Sequence, residues 1–209
     1  MKNIVQINKN LRSESAIIIA GGPSVNQSLD KIKEICKKTI VICPNRVPNG
    51  VICDFLVFVD NSIFIEKKKN ILNEILVFTD RVKKDYSDLT NEKWLLERVL
   101  HKKTKKIEID EDGVINHMIG GCGFACLYVA YFLKMKEIYL FGFDGPNEKN
   151  EMWHHDGACN MFSSTRPPML RKLFSVLLNF LREKEIKLYV DKNSPLWGID
   201  KKEHKIIEI

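Results

Sequence analysis

The sequence has no CxxC pair, no apolar run of about 18 residues, no Walker A lysine after its glycine turns and no dense basic stripe. Each absence removes a class of protein. A zinc site needs paired ligands at short spacing, and these are missing. No stretch is long enough to span a membrane as a helix. Met1 to Gln6 lacks the apolar run of a signal peptide, so the expected location is the cytosol, peripheral at most to the inner face of the membrane. The six cysteines Cys36, Cys43, Cys53, Cys122, Cys126 and Cys159 sit mostly among apolar neighbours. They read as free thiols in a reducing compartment. A net charge of +6 over 209 residues favours anionic ligands but is too mild for a nucleic-acid binder. The basic runs Lys67–Lys69 and Lys102–Lys106 read as solvated surface, or as attraction to an anionic membrane or a phosphorylated ligand.

What is present is an alternation of short apolar strands and amphipathic helices. Strands are expected at Ala16–Ala20, Thr39–Cys43, Asp54–Val59, Glu74–Thr79, Lys136–Gly142 and Glu185–Val190. Helices are expected at Asn26–Lys38 (N-capped by Ser24 or Asn26), Ser62–Asn70, Phe124–Leu133 and Pro167–Glu183. Phe143 to Ser164 reads as a loop. The pattern predicts an α/β fold: one Rossmann-like domain over residues 1–209, a mainly parallel sheet, helices on both faces. Residues 80–112 are more polar and read as a lid or insertion, with a helix near Glu92–Val99 and an edge strand near Lys106–Ile109.

Five motifs fall where such a sheet would end its strands. Gly21-Gly22-Pro23-Ser24 follows the first buried strand. A glycine pair there permits a tight turn and close approach of a ligand, and the following helix start favours phosphate; an ordinary βα turn would look the same. Pro44-Asn45-Arg46 ends the second strand, where an Asn can bond a base or ribose, or simply form the turn. Asp60-Asn61-Ser62 ends the third, with Asp60 suited to a ribose hydroxyl or a metal, and Asn61 or Ser62 suited to capping a helix. Gly120-Gly121-Cys122-Gly123 opens an apolar helix, a second anion-friendly end. Asp144 follows a further strand, and His154-His155-Asp156 lies beyond it. One of those imidazoles can act as a general base; adjacent side chains point apart, which argues against both holding one metal ion.

In order along the chain these motifs resemble the bacterial sialyltransferases of glycosyltransferase family 42. Ile17–Ser24 is similar to that family's AGxGPS opening, and Val57–Phe64 to its segment after the third strand. Cys122-Gly123, the next helix and Lys136–Asp144 resemble its Ser-Gly, helix, KEIYLxGxD block. Ile186–Tyr189 and Asn193–Leu196 are similar to its last strand and turn. The same landmarks occur in a wider group. It holds the central domain of flagellin-modifying motility-associated factors, phage proteins, and archaeal 6-hydroxymethylpterin pyrophosphokinase-like proteins.

The resemblance implies transfer of a sialic-acid-like sugar from a CMP-activated donor to an acceptor hydroxyl, with no required metal. It places Gly21, Gly22, Pro23, Ser24, Asn45, Asp60, Asn61, Gly121, Cys122, Gly123 and Asp144 around the nucleotide. Asp60 stands where that family has Asn, and Cys122 where it has Ser. The first turn is one residue shorter, and Pro167-Pro168 occupies the position of the family's catalytic His. His155 or His154 is then the base, with Arg166 or Lys172 near the leaving group. The implied partners are a nucleotide sugar and a glycan or glycolipid acceptor, and a second copy of the chain in a homo-oligomer. The alternatives are a pterin-type pyrophosphokinase holding Mg²⁺ through Asp60 and Asp144, or a nucleotide-binding module without catalysis.

Overall fold

The computed structural model describes residues 2–6, 10–59, 64, 75–79, 82, 91–96, 107–110, 113–115, 121–147, 149, 151–154, 156–157, 159–161 and 166–209. Its strands are β1 (Lys2–Asn3), β2 (Ser15–Ile19), β3 (Ile40–Pro44), β4 (Phe55–Phe58), β5 (Ile75–Thr79), β6 (Lys93–Leu96), β7 (Glu137–Phe141), β8 (Glu151–Trp153), β9 (Cys159–Met161), β10 (Lys187–Val190) and β11 (Ile207–Glu208). The helices are α1 (Leu29–Cys36), α2 (Cys122–Phe132) and α3 (Arg166–Glu183).

Among the described residues nine strands form one sheet in the order β1-β6-β5-β4-β3-β2-β7-β10-β11. Every neighbouring pair is parallel. A parallel sheet is covered on both faces, so its inner strands are apolar throughout rather than alternating. Every residue of β3 and β4 is buried. The chain steps outward from β2 through β3 and β4, then returns to the other side of β2 as β7. That reversal puts the switch point, where ligands enter such sheets, outside the carboxyl ends of β2 and β7.

Helices lie on both faces, as the sequence predicts. α2 is buried from Phe124 to Ala130, so it is apolar on every side. It shares a core with Phe174, Leu177, Leu178 and Leu181 of α3. Phe174 stacks on Phe124 at 4.8 Å between centroids and on Phe143 at 5.5 Å. On the opposite face Ile32 of α1 packs with Ile17, Ile19 and Val41.

Several expectations are corrected. The first helix begins at Leu29, after a 3-10 turn over Pro23–Gln27. Neither Ser24 nor Asn26 caps it; Ser28 precedes it, and the Ser28 hydroxyl bonds Asp191 instead of the helix. The segment expected as a helix near Glu92–Val99 holds strand β6, buried at alternate positions and paired with β5 and β1. That strand belongs to the main sheet, so 80–112 is not a lid throughout. Near Lys106–Ile109 the described residues show one antiparallel bridge, Ile109 to Ile115, in place of an edge strand. The stretch from Phe143 to Ser164 contains the antiparallel hairpin β8–β9. Of the expected helix Ser62–Asn70, all but Phe64 lies outside the described residues. No helix among the described residues is long and apolar enough to cross a membrane. Cys36, Cys43, Cys53, Cys122 and Cys126 are free thiols.

Candidate functional site

The first wall of the crevice is the turn after β2. The Ala20 N–H bonds the Phe141 carbonyl at 2.8 Å, and the Gly22 N–H bonds the Gly142 carbonyl at 2.9 Å, so the β2–β7 ladder continues into the turn. A Cβ on Gly22 would lie 2.5 Å from the Asp144 carboxyl carbon and from the Gly142 carbonyl oxygen. Gly142 has φ +69°, a left-handed conformation that suits glycine. The close approach brings Asp144 onto the start of the 3-10 turn. Its carboxylate accepts the Ser24 N–H at 2.7 Å and the Ser24 hydroxyl at 2.5 Å. Burial pushes the Asp144 carboxyl above its ordinary value, against the lowering effect of the bonds from Ser24 and Ser194. Beside it the buried Asp191 accepts the Ser28 hydroxyl at 2.6 Å, and Asn193 donates to that hydroxyl at 3.0 Å.

The second wall is the end of β3 and the start of α2. Asn45 takes φ +50°, and its N–H bonds the Val57 carbonyl. Its amide nitrogen donates to the Cys122 sulfur at 2.8 Å. Its amide oxygen is buried and has no hydrogen-bond partner among the described residues. Gly121 precedes α2 in an extended conformation, and Gly123 lets Phe143 pack closely, since a Cβ there would sit 2.9 Å from that ring.

The hairpin supplies the third side. The His154 ring lies against Gly21, in the space a Cβ would need. A turn closed by the Gly157 N–H on the His154 carbonyl presents Asp156, which pairs with Arg46.

The structure thus brings together Gly21, Gly22, Ser24, Asn45, Gly121, Cys122, Gly123, Asp144 and His154 at one end of the sheet; Pro23 is exposed at the same turn. Asp60, Asn61 and His155 lie outside the described residues. Lys172, expected near a leaving group, instead lines a separate cavity of about 430 Å³ with Arg171, Ser175 and His204. Among the described residues no group of three or more His, Cys, Asp and Glu could hold a metal ion. Asp144, expected as a magnesium ligand together with Asp60, accepts one bond from Ser24 on each of its oxygens, and Asp60 lies outside the described residues. The sequence offered no role for Arg46, Ser28 or Asp191, although Arg46 stands in the singled-out Pro44-Asn45-Arg46 turn.

A family model described as 6-hydroxymethylpterin diphosphokinase MptE-like matches residues 1–149. Among solved structures, the MAf glycosyltransferase from Magnetospirillum magneticum AMB-1 is similar in fold, with a TM-score of 0.59 and 14% identity. The match covers 87% of this chain and 32% of that one, so the chain spans about a third of that protein. A search of curated proteins finds no match. Both findings fall within the wider group that the motifs resemble.

Proposed function

The chain belongs to the 6-hydroxymethylpterin diphosphokinase MptE-like family, and on that premise we propose that it is a transferase with a nucleotide-binding crevice at the β2–β7 switch point. The reaction is transfer of a sugar from a nucleotide-linked donor to an acceptor hydroxyl. The observation that carries this reading is the Asn45 amide oxygen, buried beside Cys122 and without a donor among the described residues. An unmet buried acceptor costs about 1–3 kcal/mol. The amino group of a nucleobase would meet it, and the resemblance of the motifs to the CMP-using sialyltransferases favours cytosine and a CMP-linked, sialic-acid-like donor. The start of α2 suits the donor phosphate. His154, packed on Gly21 at the crevice, takes the acceptor proton as general base. Asp60 and Asn61 are assigned to the nucleotide by their position after β4. A glycan or glycolipid acceptor at the inner membrane face suits the basic runs, and the chain works in the cytosol.

The family's description supports a second reading, diphosphate transfer to a hydroxymethylpterin. Its magnesium would rest on Asp144, each of whose oxygens also accepts a bond from Ser24, and on Asp60 after β4.

The test is release of free CMP from CMP-linked sugars. Wild type should turn over, and His154→Ala should lose about a hundredfold. Equal turnover in both would remove His154 as the base. A diphosphorylated pterin formed from ATP would select the second reading.

A further inference from the structure

Arg46 directly follows Asn45 at the carboxyl end of β3, and its side chain is only 17% exposed. Its guanidinium pairs with Asp156, 110 residues further along, on the turn that joins β8 to β9. Two positions earlier on that turn, His154 packs on Gly21. The hairpin is therefore tied at two points, one on each wall of the crevice. The other described carboxylates at this edge are committed, Asp144 to Ser24 and Asp191 to Ser28. Asp156 is 33% exposed, so its side of the pair is open to exchange. A phosphate presents the same fork of oxygens to a guanidinium as a carboxylate, with more charge.

We propose that Arg46 recognises a phosphate group of the bound ligand and that Asp156 competes with that phosphate, so that anion binding loosens the β8–β9 hairpin. The inference rests on the reading of the crevice as a nucleotide site and assigns the residue that meets its phosphate. Ligand entry and release of the Asp156 turn are then one exchange of ionic partners, while His154 still holds the hairpin against Gly21. Arg46 holds either the hairpin or the ligand.

The experiment measures binding of CDP, cytidine and inorganic pyrophosphate to the full chain by calorimetry, with amide exchange of residues 151–157 followed alongside. Arg46→Ala should weaken CDP and pyrophosphate about tenfold and leave cytidine unchanged. Arg46→Lys should recover only part of that loss, because an ammonium lacks the planar fork. Asp156→Asn should tighten both anions about threefold and speed hairpin exchange. In wild type, either anion should speed the same amides. The charge-swapped Arg46→Asp/Asp156→Arg chain should protect the hairpin again without recovering anion affinity, which separates loss of the phosphate contact from loss of folding. Unchanged CDP and pyrophosphate affinity in Arg46→Ala would overturn the proposal, as would failure of wild type to bind either anion. Arg46-dependent binding of pyrophosphate with no added affinity for CDP would uphold it while removing the nucleotide reading.

Discussion

Ser24 gives both of its hydrogen-bond donors to one carboxylate, that of Asp144, across 120 residues of sequence. The two residues close the turn after β2 onto the strand end of β7. Ser24 is 5% exposed, so its donors have little recourse to water if the carboxylate is lost.

Asp144→Ala should therefore lower stability by about 2–3 kcal/mol, and Ser24→Ala by about 1 kcal/mol, in chemical denaturation. The pH dependence has a defined sign. The folded Asp144 carboxyl titrates above its ordinary value of 3.8 because burial disfavours the charge. Its protonated form thus adds stability at low pH, and this contribution is lost as pH rises through the raised value. The advantage of wild type over Asp144→Asn should shrink as pH climbs past 3.8. A constant difference across that range would contradict the assignment.

The two glycines of the turn should respond differently to one added methyl group. Neither has a left-handed φ, so only contacts decide. In Gly22→Ala the methyl meets backbone as well as the Asp144 carboxylate, and the strand end must move. Thermal denaturation should show a loss of about 1–3 kcal/mol. In Gly21→Ala the methyl meets the His154 ring, a side chain on the hairpin. Stability should change by less than in Gly22→Ala, while sugar transfer falls about tenfold through displaced His154.

Asn45 separates backbone from side chain. At φ +50° glycine is tolerated and alanine strained. Asn45→Ala should be about 1 kcal/mol less stable than Asn45→Gly. Both should lose affinity for CMP equally, because both lack the amide oxygen. Titration calorimetry beside urea unfolding checks the two effects independently.

His204 is 2% exposed between Ser175 at Nε2 (3.0 Å) and Asn179 at Nδ1 (3.1 Å). The Asn179 oxygen only accepts, so Nδ1 carries the proton. Burial lowers the His204 pKa below 6.5. The unfolded chain then takes up a proton first on acidification, and stability present above 6.5 is lost as pH falls toward the folded value. His204→Gln should flatten the fall in melting temperature below that pH, and an unflattened curve would count against this role.

The sequence alone determined the elements whose signal is local. Ile17-Ile18-Ile19 is a run of apolar β-branched residues too short for a helix, and it is the central strand β2. Phe124 to Leu133 is apolar at every helical phase, and it is a helix buried all round. The glycine turns were legible as close approaches, and a Cβ at Gly21, Gly22 or Gly123 would meet the His154 ring, the Asp144 carboxylate with the Gly142 carbonyl, or the Phe143 ring. Periodicity failed at Trp94-Leu95-Leu96, where the four residues of β6 are as short as one helical turn and pairing with β5 and β1 selects the strand. The site's partners were decided at longer range still. Asp144 stands after β7 and meets Ser24 across 120 residues; Arg46 and Asp156 stand 110 residues apart and read as unrelated charges. Local pattern fixes the period of a segment and the face it buries. Which donor meets which acceptor depends on strand order, and strand order is set by how the whole sheet covers its two faces.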